Sequence, residues 1–426
     1  MNGLFPQVRL GLLVTLGCVL AAFVVVMQHY WQAVSLDIAV YWEAGERMRA
    51  GAADLYKEPT DPANDVGRFI YPPAFAVLFA PLTLLPRWLG YGVWGLGQLA
   101  AIGVTLWALR GLCRVPGGQR ADFALLVLLA VFGAAWENIR EGQVNFLVTA
   151  CVSLGLTNIV EGRPGRGGLW LALAAHLKII PGVLLAVLLV QRRWAAAAAM
   201  ALGLGLIWFS PLVWTWPALG AGAALERNVD LTRQYLAEVA GPRVKKQQAT
   251  DVGGPRAPNN ALSAVSQRYF NDVQASNFTS QRGPLLYLAP GPEARWAGFA
   301  LAAILYLLAL MLAFTRQGEE SFAAACGLAL TAATLGNLLC WPHHFAVLAL
   351  LVAPLVALGL RERMYLGRAV TTVAVMVLFC HVTLIPELEP LQIWGLPTAG
   401  AIIAWGVCFY TFWRRHGTKP TTPEAA

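Results

Sequence analysis

Apolar positions along this chain fall in long unbroken runs, not in the short alternations of strands or the stripes of water-exposed helices. The runs occupy residues 10–27, 88–109, 121–136, 145–160, 169–190, 195–214, 296–314, 322–339, 345–360, 369–385 and 393–412. Crossing a bilayer as a helix takes about 20 apolar residues. Helices and closed barrels alone satisfy their backbone in lipid, and runs this long predict helices. The expected fold is all-α: a polytopic integral membrane protein with about 12 membrane helices and structured external loops. The first run does not read as a cleaved signal peptide. Only Arg9 precedes it, and the bulky Met27-Gln-His-Tyr-Trp31 stands where small residues are needed.

Two stretches break the pattern. Residues 71–86 are apolar but hold Pro72, Pro73, Pro81 and Pro86. If they cross, the basic loop 110–120 lies outside, against the charge rule. If they form an interfacial or re-entrant element, loop 110–120 is inside and 137–143 outside. Run 169–190 is then a hairpin of two short helices broken near Lys178 and Pro181. The second threading is the preferred one.

Charge orients the chain. Lysine and arginine in short loops favour the cytoplasmic side. Gln191-Arg-Arg-Trp194, the Arg361–Arg363–Arg368 group and the tail 413–426 therefore read as cytoplasmic, as does the N-terminus. Loop 32–70, the segment 215–294 and the Cys340-Trp-Pro-His-His344 turn fall on the external face. The eight Lys/Arg of 215–294 do not weigh against this, because long segments translocate largely regardless of charge. The net charge of +8 fits this bias better than a nucleic-acid surface, since no basic stripe with interleaved aromatics occurs in a soluble segment. Seven scattered cysteines without a Cys-x-x-Cys pair support neither a disulfide framework nor a metal site.

Several polar groups stand out against a chain that is 58% hydrophobic and 13% charged. Asp37-Ile-Ala-Val-Tyr-Trp-Glu-Ala-Gly45 places an acid, Tyr41 and Trp42 at the mouth of the membrane domain. Asp37 and Tyr41, four apart, share a helix face. A simply solvated interfacial acid is the alternative. Loop 32–70 carries seven acids against four basic residues and ends in Phe69-Ile-Tyr-Pro-Pro73. In Glu137-Asn-Ile-Arg-Glu-Gly-Gln-Val-Asn145, Arg140, Glu141, Gln143 and Asn145 cluster at a helix junction, which suits either a polar-ligand site or a salt-bridged turn.

Lys178, in Ala175-His-Leu-Lys-Ile-Ile-Pro181, lies in mid-run, where insertion costs about 2.5–3.5 kcal/mol. A phosphate or an internal acid such as Glu141 offsets that cost. Residues 258–268 read as a capped short helix presenting polar side chains. Adjacent His343 and His344 point to different faces and are not a chelating pair, though one of them can face an external cavity. Phosphate-cradling Gly loops, Gly-x-Ser-x-Gly elbows, His-Glu-x-x-His motifs and inverted repeats are missing.

Asp37-Ile-Ala-Val-Tyr-Trp-Glu-Ala-Gly45, Leu55-Tyr56, Phe69-Ile-Tyr-Pro-Pro73, Pro81-Leu-Thr-Leu-Leu-Pro86, Arg140-Glu-Gly-Gln-Val-Asn145, Leu177-Lys178 with Pro181, and Trp341-Pro-His-His344 occur in this order. The set resembles glycosyltransferase family 87, GT-C membrane mannosyltransferases that use polyprenyl-phosphate-mannose. One departure is Asn259-Asn-Ala-Leu262, where the family pattern is closer to Asn-Gln-Ser-Leu. The resemblance implies a single GT-C-like membrane domain over 1–426 with a catalytic loop at 32–70. It implies an inverting hexosyltransferase of the cell membrane, acting at the external face on a polyprenyl-phosphate-linked donor and a glycolipid or glycan acceptor that it does not identify.

Asp37 would be the base. Lys178, Arg140, Arg268, His343 and His344 are candidates for the donor phosphate. Tyr41, Trp42, Glu141, Gln143, Asn145, Asn259 and Asn260 are candidates for substrate contacts. With no Asp-x-Asp in loop 32–70, no metal and no cofactor is expected. A lipid-linked-sugar transporter or flippase is the main alternative, a polymer ligase the second and a structural scaffold the third. The transporter needs charges lining a path through the bilayer, whereas here they gather toward one face.

Overall fold

The computed structural model describes residues 37–57, 68–240, 259–270 and 294–415. The first apolar run, 10–27, lies outside the described residues, as do most of 241–293 and the end of the tail. The elements are helical: α1 (Asp37–Arg49), α2 (Pro73–Phe79), α3 (Arg87–Leu112), α4 (Arg120–Arg140), α5 (Asn145–Val160) and α6 (Pro164–Leu177). Then follow α7 (Leu184–Val190), α8 (Trp194–Trp208), α9 (Leu212–Leu219), α10 (Ala221–Gln234) and α11 (Leu262–Phe270). Last come α12 (Ala294–Thr315), α13 (Glu319–Leu335), α14 (Leu348–Arg361), α15 (Arg363–Cys380), α16 (Glu389–Ile393) and α17 (Leu396–Arg414). The all-α fold expected from the apolar runs is the one observed.

Seven of the described helices are long and apolar enough to cross a membrane: Arg87–Leu112, Gly117–Arg140, Trp194–Leu219, Ala294–Thr315, Pro342–Arg361, Arg363–Leu384 and Leu396–Arg414. Asn145–Val160 and Ile180–Val190 are apolar but shorter. The figure of about 12 membrane helices thus stays an expectation. The Pro342–Arg361 helix is the axis of the bundle, with α14 buried on every side. Against it, Gly327 of α13 lets two backbones meet, since a Cβ there would lie 2.4 Å from the Leu350 carbonyl oxygen. Small residues serve this purpose between helices in lipid. Outer helices expose Leu202, Leu206, Ile304, Leu307, Phe314 and Leu378, as a lipid-facing belt requires.

Two ends of the bundle differ in charge. At one, Arg114 pairs with Glu319, Arg361 with Glu320 at 2.6 Å, and Arg415 with both Glu320 and Glu362. Arg361 also donates to the Cys113 carbonyl at 2.7 Å, and Gln119 to that of Leu360 at 3.0 Å. Loop 110–120 therefore shares its face with the basic loops near 191, 316, 361 and 415, the arrangement that the preferred threading requires. Residues 73–84 accord with it. Their helix and 3₁₀ turn cover twelve residues, and an α-helix of that length rises about 18 Å, short of the roughly 30 Å of hydrocarbon. Run 169–190 breaks where expected: α6 ends at Leu177, and Lys178 is extended at φ −155°, ψ 124°. Pro181, without an N–H, then starts a 3₁₀ turn before α7.

Candidate active site

The other end of the bundle holds a cavity of about 680 Å³. Its polar lining includes Asp37 and Tyr41 of α1, Arg68 and Tyr71 of the following segment, Glu137 and Arg140 at the end of α4, Glu141 and Gln143 of the α4–α5 turn, and Lys178, Tyr235, Asn337, His343, His344, Thr383 and Gln392. The α1 helix starts with an acid and ends with Arg47 and Arg49, each favourable at its own end of the helix dipole. It buries Ile38, Val40, Tyr41, Trp42, Ala44, Gly45 and Met48, and Asp37 and Tyr41, about one turn apart on it, both line the cavity.

The α4–α5 turn is a helix C-cap of Schellman type. The Gln143 amide donates to the Asn138 carbonyl at 2.8 Å, and the Gly142 amide to that of Ile139 at 3.1 Å. Gly142 has φ +69°, and a Cβ there would stand 2.7 Å from Cβ of Ile38. Only glycine permits both the conformation and the approach of α1. The Trp94 indole N–H fixes the Gly142 carbonyl at 2.7 Å.

Within this frame Gln143 Nε2 donates to Asp37 Oδ2. Gln143 Oε1 accepts from the hydroxyls of Tyr41 and Tyr71, both at 3.0 Å. Burial holds the Asp37 carboxyl above its usual range, while the Gln143 hydrogen bond and the Lys178 charge pull the other way. Glu141 is pushed up to about 7, chiefly by burial, with Arg140 opposing and the charges of Asp37 and Glu137 adding to the rise. Arg140 bridges Glu137 at 2.7 Å and Glu141 at 2.6 Å. Lys178 Nζ donates to Asn145 Oδ1 at 2.6 Å and lies 5.9 Å from the Tyr71 ring centre. Asn145 Nδ2 is buried without a hydrogen-bond partner, although a free donor of that kind costs about 1–3 kcal/mol.

Other candidates sit elsewhere. Arg268 is fully buried and donates to the carbonyls of Asn259, Gln392 and Ile393. Asn259 donates to the Leu338 carbonyl and accepts from the Ala261 and Cys340 amides. The Asn260 backbone N–H donates to the Cys340 carbonyl, and its carbonyl accepts from the Thr398 hydroxyl. None of the three lines the cavity, and neither does Asn145, which backs it through Lys178. The segment expected to present polar side chains turns them inward, because the carbonyls of 338–340 and 392–393 meet it there. Trp42 also lies off the cavity; its indole N–H donates to Glu46 at 2.8 Å. His343 and His344 both line the cavity, with ring centres 4.7 Å apart at 79°. One had been expected to do so; the 3₁₀ turn Pro342–Val347 wraps the cavity wall and brings in both.

The residues missed from the sequence include Gln98, Asn138, Tyr71 and Arg68, and the cavity-lining Tyr235, Asn337, Thr383 and Gln392. Tyr71 and Asn138 lie inside strings already notable for polarity, whereas a lone Gln98 in an apolar helix carries no such signal. Arg68 meets Glu238 at 3.0 Å across the rim. Among the described residues no group of three or more His, Cys, Asp or Glu is placed to hold a metal ion.

Three acids, Asp37, Glu137 and Glu141, and three cations, Arg68, Arg140 and Lys178, line one cavity at the end of the helical bundle of a multi-pass membrane protein. Residues 69–342 match the model of glycosyltransferase family 87, and the chain belongs to that family. A polyprenol-phosphate-mannose-dependent alpha-(1-2)-phosphatidylinositol pentamannoside mannosyltransferase from Mycolicibacterium smegmatis is 31% identical over 180 residues. That match takes in 41% of this chain and 38% of the relative. Among solved structures, ArnT from Cupriavidus metallidurans bound to undecaprenyl phosphate overlaps 92% of this chain and 76% of its own, with a TM-score of 0.41 and 17% identity. The apo form gives 0.35 and 16%, over 93% and 77%.

Proposed function

We propose that this protein moves a hexose, mannose by family and relative, from a polyprenyl-phosphate-linked donor to a glycolipid or glycan of the cell envelope. One observation carries the reading: Asp37, Lys178 and Arg140 line the same cavity. The acceptor hydroxyl loses its proton to Asp37 as its oxygen bonds to the anomeric carbon. The bond from that carbon to the phosphate oxygen breaks, and the polyprenyl phosphate leaves with the electron pair. Lys178 and Arg140 are fixed positive charges for the negative charge that develops on it. Asn145, behind the cavity wall, holds the Lys178 ammonium through Oδ1 and so positions that charge. Glu141 and Gln143 are placed to receive sugar hydroxyls, and His343 and His344 complete the wall. The chemistry asked of these groups needs no cofactor.

A single displacement inverts the anomeric centre. Proton NMR of the purified product is expected to show the configuration opposite to that of the donor; a retained configuration contradicts Asp37 acting as the base for one direct attack.

The cavity end is assigned to the external face and the arginine-rich end, with both termini, to the cytoplasm. In a cysteine-free background, Glu387→Cys and Arg192→Cys are expected to react with an impermeant maleimide from opposite sides, the first from outside. Labelling of both from one side overturns the assignment.

A further inference from the structure

Between Asp37 and Lys178 runs a chain of hydrogen bonds, through four side-chain amides and the backbone of Gln143 and Asn145, deep in the apolar bundle. Gln143 Nε2 donates to Asp37, and the Gln143 backbone carbonyl accepts from Gln98 Nε2. Gln98 Oε1 accepts from Asn138 Nδ2, and Asn138 Oδ1 accepts from the Asn145 amide at 3.1 Å. Asn145 then receives Lys178. Gln98 is 4% exposed and Asn138 0%. Neither lines the cavity, so neither is placed to touch a substrate.

Burying two primary amides among apolar helices is costly unless their donors and acceptors are matched, and here Gln98 and Asn138 orient each other while their other ends fix the backbone at Gln143 and Asn145. Gln98 comes from α3, Asn138 from α4 and Asn145 from the start of α5. We infer that Gln98 and Asn138 are positioning residues that hold the proton-accepting side of the site, through Gln143, and its cationic side, through Asn145, in one frame across three helices. This inference rests on the proposed role of Asp37.

Asn138 fixes the first turn of α5, on which Asn145 and thereby Lys178 depend, while also orienting Gln98. Gln98 fixes the Gln143 carbonyl, and with it the turn that aims Gln143 Nε2 at Asp37. A donor phosphate drawn to Lys178 is thereby registered against the base within the tolerance that a direct displacement needs. A misplacement of about 1 Å can cost on the order of 10²-fold in rate.

The test compares Gln98→Met and Asn138→Ala with Gln191→Met, using purified full-length protein and the polyprenyl-phosphate-mannose donor. Gln191 is an equally buried glutamine at the arginine-rich end, donating to the carbonyls of Ala313 and Arg316. Gln98→Met is expected to lower kcat about tenfold while the donor KM stays within about twofold. The acidic limb of its kcat profile should move to higher pH, because a loosened Gln143 no longer favours the ionised Asp37. The other titratable groups around that cavity, Tyr41, Tyr71, Arg68, Glu137, Arg140, Glu141, Lys178, Tyr235, His343 and His344, are unchanged in this variant.

Asn138→Ala should lower kcat similarly and, through Asn145, raise donor KM. Gln191→Met should lose thermal stability with kcat and the limb unmoved. If Gln98→Met does not fold, Asn138→Ala decides by the same readouts. A folded Gln98→Met or Asn138→Ala with wild-type kcat and an unmoved limb overturns the inference and leaves the Asp37 reading standing. Full activity of Asp37→Asn overturns that reading itself.

Discussion

Asp37→Asn is expected to lower sugar transfer by about 10²-fold or more while leaving the fold intact. The amide keeps the size and polarity of the carboxyl, and a flipped Asn can still present oxygen to Gln143 Nε2. What it loses is the site that accepts the hydroxyl proton. The pH profile makes the same point. Burial holds the Asp37 carboxyl above its ordinary value. The ionised form is the base, so kcat falls as pH drops through the folded-state pKa, earlier than an ordinary carboxylate would dictate. The acidic limb should vanish in the residual activity of Asp37→Asn. A well-folded Asp37→Asn protein retaining most of its turnover sinks the assignment.

Lys178→Met separates binding from architecture. The ammonium donates to Asn145 and lies beside the Tyr71 ring, while the Glu141 carboxylate meets Arg140 at 2.6 Å. Methionine keeps most of the length and removes the charge. A hydrogen bond to a charged group is worth roughly 1.5–3 kcal/mol, so apparent donor affinity should fall about 10- to 100-fold. Stability should fall modestly, since Asn145 Oδ1 loses the donor described for it. If Lys178 instead serves as the counter-charge of an internal acid, its loss strands a buried carboxylate and costs about 3–5 kcal/mol. A large drop in melting temperature with unchanged donor affinity therefore rules against phosphate binding.

Much of this site was legible because lipid makes polar residues conspicuous. Lys178 stood out as a charge in an apolar run, and Pro181 marked the break that lets it leave the helix. Asp37 and Tyr41 needed only helical spacing to be placed together. Gly142 sat in a string too polar for a plain turn, and the closeness of Ile38 explains why it must be glycine. Gln98 was invisible, because the role of one amide in an apolar helix depends on Asn138 and Gln143, 40 and 45 residues away and on other elements. The placing of Arg268, Asn259 and Asn260 away from the cavity is invisible for the converse reason. Their partners are backbone carbonyls and amides near residues 340 and 392, which no local pattern discloses. The number of spans resisted counting because Asn145–Val160 and Ile180–Val190 are apolar yet short.

The central claim is that the cavity makes a glycosidic bond and does not merely carry a lipid-linked sugar. Reconstitution of the purified protein into sealed vesicles with radiolabelled polyprenyl-phosphate-mannose and an envelope lipid extract tests it most directly. The account predicts that label leaves the donor and appears in a new lipid or glycan product, at a rate that collapses in Asp37→Asn. Label that stays on the polyprenyl phosphate and only changes leaflet, equally in wild type and Asp37→Asn, contradicts it.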